Sequence, residues 1–446
     1  MKNKYFYEEY KILIKKIKNK LNSFNSKKYK PDNDIPVYFP SYYNGQGLYF
    51  IKKLLRIPNN IFIRTYYTLK DFLYSSNYSK IKLINYKKIS SEKIISTWAY
   101  KKNFKNNGSL QEDINFNINS RQTSNTHWIL LYLDKSLPKK IDENITLIQI
   151  VKKKFNLFLL LGIFISNFKY LFTDYQYFLF SISSHNFLSK KILNIFKKII
   201  KKPIKKFLIT YEAQPYQNRV IKYLKEKNIE TLGYVSQAPL ALPTHLIKKS
   251  NSPSKIFING VDQKKCLIKL GWKREEIITI PSTRFLSIKK NFSNQIFFPG
   301  SIKSVSEIIK SLEFLITNYR LDINQFKIRN HPAVIDSKTH NILKFKIDRL
   351  KNKYHKPSKD NSNFKNYSIF IGASGSIMEA LARNCKVIQI TEIPILDFYT
   401  NYFWNSIEAK KINNNIFTYS LLRKKNLIMF GKKQKNLNIF FNNSDI

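Results

Sequence analysis

Two doubly wound, Rossmann-like α/β domains facing across a cleft are predicted by three features of the sequence. The chain has 446 residues, more than one hydrophobic core usually organises. Short β-branched and aromatic runs alternate with amphipathic stretches, the pattern of parallel strands joined by crossover helices. Two sets of such strand-turn-helix units flank the polar stretch Lys289 to Asn294, where a linker is expected. The division follows: residues 1–290 form an N-terminal α/β domain with a Lys-rich leader, and residues 291–446 form a C-terminal α/β domain with a tail. A hinge is expected between Pro281 and Asn294.

Composition bounds the reading. A formal charge of +49 points towards nucleic acid, an anionic membrane surface or polyanionic substrates. Yet Lys is spread along the whole chain beside abundant Asn, Ile, Tyr and Phe, as an AT-biased coding sequence would yield. No Lys and aromatic stripe of the kind a nucleic-acid binder uses stands out. Cys266 and Cys385 have no partner spacing, so neither a disulfide framework nor a zinc site is indicated, and a reducing cytoplasm fits. The Ile12-Leu13-Ile14 run is too short for a signal-peptide core. The longest apolar run, Phe155 to Ile165, falls short of a membrane span, so a soluble or surface-associated protein is expected.

In chain order, Tyr10, Leu13, Ile17 and Leu21 share one face of a Lys-rich helix, which either packs on a domain or rests on anionic lipid. Asp32-Asn33-Asp34 formally spells an acidic metal-binding triplet but lies between Pro31 and Pro36, where turn chemistry suits it better. Val37 to Phe39 reads as a strand, and Gly45 and Gly47 precede an expected helix from Leu48 to Leu55; the third glycine of a dinucleotide fingerprint is missing. Trp128 to Leu133 and Ile145 to Val151 are strands. Leu188 to Lys202 carries Ile192, Ile195, Phe196, Ile199 and Ile200 on one face and six lysines on the other, as a crossover helix or a membrane-docking one would. Phe207 to Tyr211 is the next strand. Glu212 follows it, where ligands of parallel sheets sit, and is either a general base or the cap of the helix from Tyr216 to Lys227. Thr231 to Val235 completes that unit.

Ile256 to Ile258 and Ile277 to Ile280 flank a further helix that stops at Gly271-Trp272. In the second half, Gln295 to Phe298 is a strand, with Gly300 and Ser301 in the turn into a helix from Val305 to Thr317. Phe326 to Arg329 ends at Asn330-His331-Pro332. Tyr367 to Ile371, the small residues Gly372 to Ser376, a helix and Val387 to Ile390 make a βαβ unit. Ser376 and Glu379 have capping-box spacing, so the helix should start near Ser376 with free amides able to receive a phosphate. Asn384 takes the left-handed C-cap position.

Ser374-Gly375-Ser376-Ile377-Met378-Glu379-Ala380-Leu381-Ala382, with Val387-Ile388 beyond, resembles the donor-nucleotide segment of GT-B glycosyltransferases, especially bacterial capsule and lipopolysaccharide enzymes. Arg329-Asn330-His331-Pro332 is similar to a basic residue and His-Pro pair of the same family. Pro281-Ser282-Thr283-Arg284-Phe285 resembles the family's crossing between domains, and Gly233-Tyr234 a strand of its first half. The resemblance covers Lys205 to Pro394 and departs at Asn384, where Gly is usual, and at Val235-Ser236-Gln237, where a His is often found. It implies a metal-independent transferase moving a sugar from a nucleotide-sugar co-substrate to a surface polysaccharide or lipid-linked glycan. No resident cofactor is implied. The implied donor site is Gly300, Ser301, Arg329, Ser374, Gly375, Ser376 and Glu379; His331 stands by the donor phosphates and Glu212 is the catalytic base. Glu379 as a mere capping partner and His331 as a plain turn residue stay open. A nucleotide-sugar epimerase of the same fold and a non-catalytic polyanion-binding relative are the alternatives. A cytoplasmic protein, peripheral on the inner face of the membrane where a lipid-linked acceptor lies, is the expected setting. A hydrolase elbow fails because the last histidine, His355, precedes any second-half nucleophile, and no Gly-Lys-Ser or Gly-Lys-Thr is present for an NTPase loop.

Overall fold

The computed structural model describes residues 6–25, 61–75, 80–86, 91–111, 115–123, 125–151, 156–173, 178–179, 181–201, 204–238, 240–287, 291–300, 302–331, 337–354, 366–432 and 437–442, with residues 54, 56, 89, 113 and 364. Asp32-Asn33-Asp34, the strand Val37 to Phe39, Gly45, Gly47 and Ser301 lie outside the described residues, as does most of Leu48 to Leu55. The helices are α1 (Tyr7–Asn25), α2 (Ile61–Tyr74), α3 (Leu157–Asn167), α4 (Lys169–Thr173), α5 (Ser184–Ile199), α6 (Pro215–Lys225), α7 (Val261–Lys269), α8 (Val305–Tyr319), α9 (Lys338–Lys353), α10 (Ser376–Ala382), α11 (Pro394–Asp397) and α12 (Asn438–Phe441).

The first sheet contains β1 (Lys80–Ile84), β2 (Lys93–Ala99), β3 (Thr126–Tyr132), β4 (Ile145–Val151), β5 (Lys206–Thr210), β6 (Glu230–Tyr234), β7 (Lys255–Ile258) and β8 (Ile277–Thr279). Their order is β1-β4-β3-β2-β5-β6-β7-β8. Only the edge strand β1 runs antiparallel. The order in which strands are added therefore reverses between β2 and β5, as in a doubly wound sheet. All seven residues of β3 are buried, because a parallel sheet is covered on both faces. Ile94, Ile129 and Ile209 face the apolar sides of α5, α6 and α7. Ile95, Leu130 and Leu232 face Leu110, Phe116 and Phe440. The β2-to-β3 connection thus covers one face with irregular chain while helices cover the other.

The second sheet contains β10 (Gln295–Phe297), β11 (Lys327–Arg329), β12 (Tyr367–Ile371), β13 (Lys386–Ile390), β14 (Ile407–Lys411) and β15 (Ile416–Leu421), in the order β11-β10-β12-β13-β15-β14. β11, β10, β12 and β13 are parallel; β15 and β14 extend the sheet antiparallel. The order of strand addition reverses between β10 and β12. α8 and α9 share a core with Ile296, Phe298 and Ile369, while α10 lies with Phe370 and Val387 in the other core.

Several boundaries move for local reasons. α5 starts at Ser184 because Ser183 Oγ accepts from Asn186 N. Ile192, Phe196 and Ile199 are buried in the main core, so α5 is a crossover helix. Tyr10, Leu13, Ile14 and Ile17 of α1 are likewise buried, and Tyr10 Oη donates to Ile395 O at 2.6 Å. Packing, not lipid, occupies that face.

The expected linker is also more structured than its polarity suggests. β9 (Ser282–Leu286) pairs in parallel with β16 (Phe430–Gly431), through Ser282 N to Met429 O at 2.8 Å and Ser287 N to Gly431 O at 3.0 Å. Phe292 is buried and stacks with Phe297, and Asn294 N donates to Tyr367 O at 2.8 Å. Beyond β16 the tail returns to the first sheet, where the Phe440 ring lies 4.9 Å from Tyr234 and 5.4 Å from Phe116.

The returning chain passes so close to Gly260 that a Cβ there would lie 2.2 Å from Leu427 O. Backbone cannot yield as a flexible side chain does, so Gly260→Ala is expected to lower stability by about 2 kcal/mol or more. Urea unfolding checks this; an unchanged midpoint would show that the 426–431 segment is held without this close approach.

Candidate functional site

The carboxyl ends of the two sheets approach each other. A Cβ on Gly375, after β12, would lie 2.7 Å from Ala238 O, in the loop after β6. Charged groups from both sheets gather around Arg284 on β9.

Glu212 stands two residues past β5, beside the reversal point of the first sheet. Its helix-capping role does not hold. Gln217 does that work: its Oε1 accepts from Glu212 N at 3.0 Å and Gln214 N at 2.9 Å, while its Nε2 donates to Thr210 O at 2.5 Å. Ala213 adopts φ 52°, a left-handed bend costing an L-residue about 1 kcal/mol, between Glu212 and the helix. The Glu212 carboxylate accepts from Gln214 Nε2 at 2.8 Å. Surrounding protein raises its pKa by desolvation, and the Gln214 hydrogen bond and the charge of Arg284 oppose that rise.

Arg284 is half-buried, and desolvation lowers its pKa while Glu212, Glu379, Tyr234 and Asp113 act in the opposite sense. Among the described residues its guanidinium forms no direct ion pair. It is a cation held near carboxylates rather than neutralised by one. A buried network fixes its strand: Thr283 Oγ1 donates to Asn115 O at 2.7 Å, Thr283 N donates to Tyr234 Oη at 3.1 Å, and Tyr234 Oη donates to Asn259 Oδ1 at 3.2 Å. Ser236 Oγ donates to Asn115 Oδ1 at 2.7 Å. Asp113 anchors the same loop, accepting from Asn115 N at 2.7 Å and Phe116 N at 3.1 Å. Burial pushes the Asp113 pKa up to about 7 against these hydrogen bonds.

Glu379 is neither exposed nor a capping partner. Its Oε1 accepts from Arg383 Nε and Nη2, both at 3.1 Å, and the two side chains keep 9% and 10% exposure. Arg383 Nη2 also donates to Leu286 O at 3.0 Å and its guanidinium lies over Phe430, tying α10 to the β9–β16 ribbon. The expected capping box of Ser376 and Glu379 is not formed. Ser374 takes the role instead, its Oγ accepting from Ser376 N at 3.3 Å and its carbonyl from Ile377 N at 3.0 Å. Ser374 O also accepts from Tyr399 Oη at 2.8 Å. At the other end of α10, Asn384 has φ 64°, the left-handed value expected.

Gly300 and His331 lie side by side past β10 and β11, with His331 ring atoms 3.8 Å from a Cβ built on Gly300. Burial and the neighbouring His340 lower the His331 pKa. Arg329 is exposed and its Nε donates to Gln295 Oε1 at 3.0 Å. α8 and α9 share the opposite face of this sheet, and the face carrying Gln295, Phe297, Lys327 and Arg329 borders an open cavity of about 810 Å³. Asn330 and Ser376 also line it. The structure thus brings Arg329 and Ser376 to one cavity, sets Gly300 against His331, and places Glu212 and Glu379 around Arg284.

Arg284, Asp113 and Arg383 escaped sequence reasoning. One signal was available: only eleven of the 78 basic residues are arginines, so each Arg is a choice against the prevailing Lys. Asp113 carried no local signal. No known family model matches this chain, and no curated protein matches it.

Glu379→Gln is expected to lower stability by about 3 kcal/mol, because it strands the Arg383 charge in a buried site. Adding Arg383→Leu should recover most of that loss; denaturant unfolding of both variants checks it, and a neutral single variant contradicts the pairing. Asp113 makes a pH-dependent contribution. Between the ordinary Asp range and about pH 7 the folded chain retains a proton that the unfolded chain loses, so stability falls as pH rises and levels off above pH 7. Relative to Asp113→Asn, the wild type should lose up to about 4 kcal/mol across that interval. A difference independent of pH refutes it.

Proposed function

We propose that the two sheets belong to two domains in a GT-B arrangement, and that the chain transfers a sugar from a nucleotide-sugar donor to a surface polysaccharide or lipid-linked glycan. The observation that carries this reading is the convergence of Glu212, Arg284 and Glu379 where the carboxyl ends of two doubly wound sheets meet, the place at which such sheets take ligands.

In this reading the acceptor hydroxyl attacks the anomeric carbon, the bond from that carbon to the diphosphate oxygen breaks, and the hydroxyl proton passes to Glu212. Its raised pKa makes it a better base than an ordinary carboxylate. The negative charge that builds on the leaving diphosphate is offset by Arg329 and Arg284 and by the amides around Ser374, Gly375 and Ser376, with His331 as a neutral hydrogen-bond donor. Gly300 stands beside His331 on the side from which the donor approaches. Glu379 is engaged by Arg383, so its part is to hold α10 in register beneath the donor. The nucleotide sugar is a co-substrate, and the lipid side of the acceptor suits a protein working at the inner face of the membrane.

A thermal-shift screen against nucleotide mono- and diphosphates and nucleotide sugars should find at least one that raises Tm, since a ligand at a hundred times its Kd adds about 2.7 kcal/mol. With that donor, Glu212→Gln should cut turnover by about a hundredfold or more while leaving the thermal shift intact. The acid limb of the wild-type rate should lie above the ordinary Glu range, because the base works only when deprotonated. A screen in which no nucleotide stabilises the protein removes the transferase reading.

A further inference from the structure

We propose that α3 and α4 form an interfacial membrane-docking face that takes anionic lipid. From Asn156 to Phe168 there is no charged residue, and α3 is apolar up to Ser166 and Asn167 at its C-terminal end. One side is accounted for: Leu160 and Ile163 are buried, and Ile163 packs in a satellite core with Phe178, Leu179 and Ile182. The other side faces outward, with Phe158 87% exposed, Ile165 70% and Phe172 77%, and with Leu157, Leu161 and Phe168 also exposed. A Cβ on Gly162 would meet nothing within 4 Å, so this face is open at mid-helix. Solvated helices ordinarily carry polar residues there, and isolated surface apolars need no explanation, but six on two consecutive helices form a patch.

The charge that flanks the patch in sequence selects the occupant. Residues 152–202 contain ten lysines and one acid, Asp174. Lys152-Lys153-Lys154 precedes α3 in sequence, and exposed Lys169 opens α4 with its Nζ over the Tyr170 ring at 5.2 Å. Lysines flanking an apolar, aromatic face suit an interface in which phosphate headgroups meet the ammonium groups and acyl chains meet the rings. The eleven residues of α3 rise about 16 Å, roughly half a hydrocarbon core, so the helix would lie in the interface plane. Among the described residues no helix is long and apolar enough to cross a membrane. The lysine-rich helices α1 and α5 use their own apolar faces inside the protein, so neither offers such a patch. The inference stands on this surface alone and does not rest on the transferase reading.

The test is co-sedimentation of the full chain with vesicles of phosphatidylcholine alone and of an equimolar phosphatidylcholine–phosphatidylglycerol mixture. Wild type should bind the anionic vesicles, and Phe158→Glu/Phe172→Glu should bind them about tenfold less or weaker still with unchanged Tm, since both rings already face outward. Phe158→Trp should show a blue-shifted emission on anionic vesicles, quenched by brominated acyl chains. Equal binding by wild type and the double variant would assign the effect to the lysine field and overturn the proposal. So would equal binding to neutral and anionic vesicles, or a wild-type dimer in sedimentation velocity that the double variant abolishes, which would make the face a contact between copies.

Discussion

A guanidinium drawn out of water needs negative charge near it, and the junction between the two sheets is organised around meeting that need for Arg284. The carboxylates that compensate it come from three separate places: Asp113 in the β2-to-β3 connection, Glu212 at the end of β5, and Glu379 on α10. Among the described residues none forms an ion pair with it, so the positive charge is compensated at a distance rather than neutralised by contact. The dependence is mutual. Burial alone would drive Asp113 and Glu212 towards the neutral form, and Arg284 is among the groups that oppose this.

Such a cluster holds only if the strand bearing it cannot drift. Thr283, next in the chain, is buried and tied to Asn115 and Tyr234, while β16 pairs with β9 along the same segment. On the far side, Arg383 grips Leu286 O while paired with Glu379. The tail makes this possible by returning across the first sheet, where Phe440 fills the space between Phe116, Tyr234 and Phe257. Aromatic packing at the C-terminus thereby sets the position of a charge near the middle of the chain.

The overall excess of lysine is a poor guide to any of this. With 78 basic residues against 29 acidic ones, an exposed Lys is the default and carries little information about this junction. The scarce groups are informative: arginines set into packed surroundings, as Arg284 and Arg383 are, and acids removed from water, as Asp113 and Glu379 are. Their desolvation has to be compensated, so their placement reflects the whole fold.

Local sequence was sufficient for the features that depend on local physics. The β-branched runs placed β3, β4, β12 and β13 to within a residue or two, and the small residues after β12 marked a turn. Asn384 was legible because a left-handed C-cap has few acceptable residues, and Glu212 because a strand end is a recognisable place. What needed the tertiary structure was every choice among partners. Ser376 and Glu379 had capping-box spacing, yet Ser374 caps the turn and Glu379 turns to Arg383, since a buried carboxylate gains more from a guanidinium than from an amide. The polar stretch before Gln295 read as a linker, but its Phe292 and Asn294 are held by the second sheet, and β9 just before it by the tail. Backbone dihedrals and apolar periodicity are decided within a few residues, whereas charge compensation and strand pairing across the chain depend on which distant segments the closed fold brings together.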